Sequence, residues 1–299
     1  MRSKDCGLVE GVSELFKPET SLELFRRICM NRYFDLKVAE IYDQKLFVCP
    51  VYLGVGEETI AAALSISFKP EKIFAQHRCH ALYLSYGGPM RQLIDELLGL
   101  STGCAGGMGG SASIHCPEIG MIGHDGLMGT QVPIGVGYAM ATSKRTLVVM
   151  GDASAEEDYV LGALGFAARK KPPVLFICTD NNLSCLTPVC TRRNWNMVEH
   201  GIFGMPAIEI ADNPWLIMYH VNELSKNLPA FINIHTCRVS AHGGVTKDRV
   251  VTPEWDRFSL VKEEMVKLSL ENKTKEIEIA TKASIDDTWR ARLAEVIHG

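Results

Sequence analysis

Two oxygen-bearing side chains, Asp152 and Asn181, stand 29 residues apart, each just past an apolar run. Asp152 follows residues 146–150 (TLVVM) and Gly151; Asn181 follows residues 173–179 (PVLFICT) and Asp180. A carboxylate and an amide oxygen are hard ligands of the kind Mg²⁺ takes, leaving its other positions to phosphate oxygens and water. The backbone amides of Ala153 and Ser154, at the start of a helical pattern, are placed to receive the same phosphates. Strand ends also carry Asp and Asn as turn and cap residues. The pair alone therefore leaves both readings open. A glycine-rich tract, residues 103–110, has five glycines in eight positions. It reads either as a flexible loop or as backbone that approaches a ligand closely.

For the two oxygens to meet, the apolar runs must be neighbouring strands. Each is a continuous run of the kind found in a strand buried on both faces. Between them lies a helical pattern through Tyr159, Leu161, Leu164, Ala167 and Ala168, enough for one strand–helix–strand crossover. Ligands of open parallel sheets bind beyond the carboxyl ends of the strands, where both residues then sit. Residues 72–75, 207–210 and 230–235 read as further strands. Helices are expected over about residues 18–42 and 57–67, the second with acids in its first turn to suit the helix dipole. The alternation predicts an α/β fold, a parallel sheet with helices on both faces. It forms a single domain over 1–299, with N-terminal helices at about 18–67 and a charged, helical C-terminal extension at about 253–299.

Composition narrows the class. The chain of 299 residues is 46% hydrophobic and 22% charged, with a net charge of −4, ordinary for a globular protein and without the basic face that nucleic acid requires. The ten cysteines include no CxxC pair, which speaks against a zinc ribbon and for reduced thiols in a cytoplasmic protein. The N-terminal residues lack an apolar core of signal-peptide length, and no run reaches the roughly 18 apolar residues of a membrane span. A nicotinamide-binding GxGxxG is missing at a strand-to-helix turn, because residues 103–110 follow a helical segment.

Gly151-Asp152 with Asn181 resembles the thiamine diphosphate motif, which begins GDG and ends in NN. Over about residues 76–247 the chain is similar to the alpha subunit of the decarboxylating component of two-oxo acid and acetoin dehydrogenases. Four more segments carry the likeness, in order. Residues 77–80 (HRCH) resemble the family's YRxHG or HRGHG, and Gly109, Gly110 and Ser111 its GGS. Residues 126–135 (GLMGTQVPIG) resemble GIVGAQVPLG, and residues 236–242 (TCRVSAH) resemble TYRYHGH. The resemblance implies the thiamine diphosphate-binding fold, in its diphosphate-binding half.

By this resemblance Asp152, Asn181 and the backbone carbonyl of Leu183 hold Mg²⁺. Arg78 contacts the diphosphate, its planar fork matching phosphate geometry, and His77, where many relatives have tyrosine, reaches it too. Gly151, Ala153 and Ser154 line the cofactor, while Gly126 and Met128 meet the aminopyrimidine through backbone groups. His80 and His242 are the acid–base and positioning histidines, suited by titration near neutral pH; His242 also borders the cofactor. The chain departs from the family at Ala153 for the third residue of GDG, at Ser240-Ala241-His242 for HGH, at Ala81 after His80, and at residues 243–247 (GGVTK) for an acidic–proline stretch.

The implied protein is a thiamine diphosphate- and Mg²⁺-dependent alpha subunit that decarboxylates a two-oxo acid or cleaves an acyloin. It passes the fragment to a lipoyl-bearing acceptor or, given the departures, to an aldehyde or sugar, as in split transketolase-like or carboligating enzymes. No segment resembles the half that activates the aminopyrimidine, so a beta-type partner in an α2β2 unit is expected beside a small-molecule carbonyl substrate. No nucleic acid or membrane is expected as a partner. A non-catalytic homologue with a structural role is the reading from another class.

Overall fold

The computed structural model describes residues 3–196, 198, 201–246 and 253–298; residue 247, where the family likeness ends, lies outside them. The long N-terminal helix α1 (Pro18–Ile41) is followed by α2 (Glu58–Ser67), β1 (Lys72–Phe74), α3 (His80–Ser85) and α4 (Met90–Leu97). Next come β2 (Met121–Ile122), α5 (Gln131–Thr142), β3 (Thr146–Gly151), α6 (Asp158–Lys170) and β4 (Val174–Asp180). A small antiparallel hairpin, β5 (Leu183–Ser184) with β6 (Thr187–Pro188), leads into α7 (Val189–Arg192). The chain continues through β7 (Ala207–Ala211), α8 (Pro214–Leu224), β8 (Ala230–His235), α9 (Arg257–Lys267) and α10 (Glu271–His298).

Six strands form one sheet in the order β2-β1-β3-β4-β8-β7, every pairing parallel. This is the α/β architecture expected. Successive residues of a strand face opposite sides, and the two faces bury separate clusters. Leu147, Val149, Leu175 and Ile177 join the core under α1, α2 and α8. Val148, Met150, Phe176 and Cys178 join the core under α5 and α6. With apolar residues at every strand position, β3 and β4 belong in the middle of the sheet.

The C-terminal helices are packed onto the body. Trp289 of α10 is fully buried, with its ring 5.7 Å from Phe34 of α1 and 6.2 Å from Phe47. Arg292 of α10 donates to Asp95 of α4.

The glycine tract is organised by a neighbouring carboxylate. Glu96, fully buried at the end of α4, accepts four backbone N–H groups. Those of Ala105 and Gly107 reach Oε2 at 2.7 and 2.9 Å, and those of Gly109 and Gly110 reach Oε1 at 2.7 and 2.9 Å. Such a ring of amides is an anion-binding nest, filled here by a side chain of the same protein. Glycine is required at 107, where φ is +76° and a Cβ would lie 2.6 Å from the carbonyl carbon of Gly99. The tract is thus neither a flexible loop nor a ligand cradle of its own.

Candidate functional site

β3 and β4 run side by side, with Gly151 opposite Thr179, so the chain leaves both strands at the same edge of the sheet. A pocket opens there, lined by Asp152, Ser154, Asn181, Leu183, Arg78 and His242 among others. Gly151, Ala153, Met128 and His77 also line it. Of the residues given a site role by the family resemblance, His80 and Gly126 lie outside this lining.

Asp152 is 3% exposed. Its Oδ1 lies 3.6 Å from Arg192, and its carbonyl accepts from Arg193 at 3.2 Å. Asn181 donates through Nδ2 to Glu57 at 2.7 Å and accepts at Oδ1 from the Leu183 N–H at 3.1 Å. Asn182 turns the backbone with φ +69°, a conformation asparagine tolerates. Ala153 has φ −75° and ψ −41°, so alanine costs no left-handed strain where the family has glycine. Residues 154–156 form a single 3₁₀ turn and α6 begins only at Asp158. The amides after Asp152 therefore belong to that turn, where the sequence suggested a longer helix.

Arg78 is buried and held on three sides. Nη1 donates to the Leu53 carbonyl, Nη2 donates to the His242 carbonyl at 3.2 Å, and Nε lies 3.5 Å from Glu57. His77 and His242 face each other at 5.2 Å, and the Tyr52 ring meets both edge-on at 5.0 and 5.7 Å. Burial, reinforced by Arg78, pushes His77 down to about 2; the same causes lower His242. Both are neutral at pH 7. His124, 6.0 Å from His77, is likewise lowered by burial.

His80 is turned into the protein. Its Nδ1 donates to Asp35 Oδ1 at 2.7 Å, and its Nε2 stands 2.8 Å from Ser111 Oγ, which in turn accepts the Tyr52 N–H at 2.8 Å. With both ring nitrogens engaged, this histidine has the geometry of a support for Tyr52 and not of a group that meets ligand. Gly126 has φ +99° with open space around its α-carbon, and the Met128 carbonyl already accepts the Tyr159 hydroxyl.

Several residues of the site escaped sequence reasoning. Arg238 lines the pocket and donates to the Cys185 carbonyl at 2.9 Å; it stands inside the TCRVSAH segment, which was the available signal. Glu57, Tyr52 and Asp35 come from the N-terminal region, read only as helices; His80 and Ser111 were singled out in the sequence, but not their link to Asp35 and Tyr52.

The donor set fits a Mg²⁺–diphosphate group. The Ser154 hydroxyl and both ring nitrogens of His77 are buried with no hydrogen-bond partner among the described residues, at a pocket that also presents two arginines. A buried polar atom left unpaired is costly, and phosphate oxygens are acceptors for the Ser154 O–H and for the single N–H of a neutral His77. Among the described residues no group of three or more His, Cys, Asp or Glu could hold a metal by itself.

A family model described as "Dehydrogenase E1 component" matches residues 26–245. The pyruvate dehydrogenase E1 component subunit alpha of Zymomonas mobilis is 31% identical over 202 residues, 64% of this chain and 57% of that protein. Its mitochondrial counterpart from Sminthopsis macroura is 27% identical over 301 residues, covering 93% of this chain and 82% of that protein. The human somatic form is 26% identical, covering 95% and 78%. Among solved structures, a transketolase mutant from Pichia stipitis superposes with a TM-score of 0.56 at 15% identity, over 93% of this chain and 47% of that one. That likeness speaks to the fold. The chain spans a little over half of the bacterial subunit and about half of the transketolase.

Proposed function

We propose, from the premise that the chain belongs to the dehydrogenase E1 component family, that it is the diphosphate- and metal-binding alpha half of a thiamine diphosphate-dependent enzyme acting on a two-oxo acid or acyloin. The observation that carries this reading is the shared pocket beyond β3 and β4, where Asp152, Asn181, Leu183 and Arg78 converge.

In this reading Asp152, the Asn181 amide oxygen and the Leu183 carbonyl hold Mg²⁺. Arg78, Arg238 and the Ser154 hydroxyl take phosphate oxygens. When bound, the cofactor supplies a carbon nucleophile and an electron sink for the substrate carbonyl. His77 and His242, neutral at pH 7, each offer one ring N–H and one acceptor nitrogen to the pocket without bringing a positive charge to it. His80 acts through Ser111 and Tyr52, as a positioning residue.

A beta-type partner completes the site. Leu127 and Leu186 are 60% and 73% exposed and flank the pocket residues Met128 and Cys185. Large apolar side chains at the rim of a polar pocket are what a partner would cover.

The test is isothermal titration of thiamine diphosphate with Mg²⁺ into the full chain, alone and with a co-purifying beta-type partner. Mg²⁺-dependent binding that tightens with the partner and is lost in Asp152→Ala supports the reading. Absence of binding in both conditions, or binding indifferent to Asp152→Ala, would overturn it.

A further inference from the structure

We infer that Glu57 is a positioning residue for the metal: it fixes which end of the Asn181 amide faces the pocket and offsets the charge of Arg78. This inference rests on the proposed function.

Glu57 sits at the mouth of α2, 7% exposed, and its two oxygens are divided between two groups of the candidate site. Oε1 accepts Asn181 Nδ2 at 2.7 Å, and Oε2 lies 3.5 Å from Arg78 Nε. A carboxylate has no proton to donate when ionised, so it can face only the NH2 end of an amide. Rotating the amide by half a turn would set Asn181 Oδ1 against Glu57. It would also break the bond that Oδ1 accepts from the Leu183 N–H. Two contacts therefore select one orientation, in which the oxygen has its remaining lone pair for a cation. In the other orientation an NH2 group would meet the metal and repel it.

The second contact is electrostatic. Arg78 brings a permanent positive charge to a site that must also take a divalent cation, and the attraction or repulsion of charges a few ångströms apart is strong where water is scarce. Glu57, between Arg78 and Asn181, sets a negative charge beside the guanidinium without standing in the metal's own ligand set. Groups that orient metal ligands in this way typically change metal affinity by about 10–100-fold when removed. In the sequence Glu57 is one of two acids at a helix start, which the helix dipole explains, and its partners lie 124 and 21 residues further on.

The experiment titrates Mg²⁺ into the full chain, with its partner and saturating thiamine diphosphate, for wild type, Glu57→Gln and Glu57→Ala, and records metal-free melting temperatures. Glutamine keeps an acceptor for Asn181 but loses the charge; alanine loses both. The expected result is a Mg²⁺ dissociation constant about 10–100-fold weaker in Glu57→Ala, an intermediate loss in Glu57→Gln, and cofactor binding restored in both at high Mg²⁺. A lower melting temperature with Mg²⁺ affinity within twofold of wild type would reduce Glu57 to a structural role and overturn the inference. Should the alanine variant fail to fold, the same twofold criterion applied to Glu57→Gln decides. A wild-type chain that binds neither Mg²⁺ nor cofactor would instead strike the proposed function, and this inference with it.

Discussion

Replacing Glu96 by glutamine changes one oxygen for an amide nitrogen at the centre of the glycine tract and leaves the side chain's shape intact. Each carboxylate oxygen accepts two backbone N–H groups, so the substitution turns an NH2 group toward two donors that are at least partly buried. Each donor left without an acceptor costs about 1–3 kcal/mol, giving about 4 kcal/mol for the pair. With an unfolding entropy of about 2.1 cal/mol/K per residue, a chain this long gains about 0.6 kcal/mol/K, so the melting temperature falls by about 6 °C. Differential scanning calorimetry measures this directly. Hydrogen exchange should locate it, with the amides of Ala105, Gly107, Gly109 and Gly110 losing protection together. A fall of less than about 1 °C, or exchange unchanged at those four amides, would refute the claim that Glu96 organises the tract.

Trp289→Ala should destabilise the chain by about 3–5 kcal/mol, the usual cost of emptying a buried aromatic site, as measured by urea denaturation; a loss below about 1 kcal/mol would mean that α10 is not integral to the core. Acid should weaken the metal-free fold through the pocket histidines: their folded pKa values lie below the ordinary value of about 6.5, so the unfolded chain binds protons that the folded one refuses. The stability is fully present above about pH 6.5 and is lost as pH falls, for His77 down to about 2, amounting to about 2 kcal/mol at pH 5; His77→Tyr should flatten that slope in melts between pH 7.5 and 5, and an unchanged slope would count against it. Asp35→Ala strips the acceptor from the Gly54 N–H and from His80, and a loss of about 1–3 kcal/mol is expected; fluorescence of Tyr52 against a Tyr52→Phe control would report whether the ring is released.

The central strands were legible because burial on both faces forces an unbroken apolar run. β8 begins and ends where the sequence pattern does, and β3 and β4 differ from it by a residue at their ends. β2 and α5 escaped notice for opposite reasons. β2 has two residues and no period of its own, while α5 (QVPIGVGYAMAT) mixes small residues with a proline and two glycines, against helix propensity. Tertiary packing on β1 and β3 decides it. The metal pair was legible because its spacing follows from one crossover. Glu57 and the Asp35–His80–Ser111 chain were not, because their partners are brought together only by the packing of α1 and α2 on the sheet, and no local pattern encodes a contact across 124 residues.

The tie between Arg292 and Asp95 has a consequence for biosynthesis. The two residues are 197 positions apart, and at about 5–20 residues per second a ribosome needs about 10–40 s to make the second after the first. Throughout that interval the carboxylate beside Glu96 waits for its cation, and Phe34 and Phe47 lack the indole that covers them. The nascent chain thus carries an unfinished flank next to the glycine tract, and from His235 onward it does so with all six sheet strands already made, a window in which a chaperone would find exposed aromatic surface.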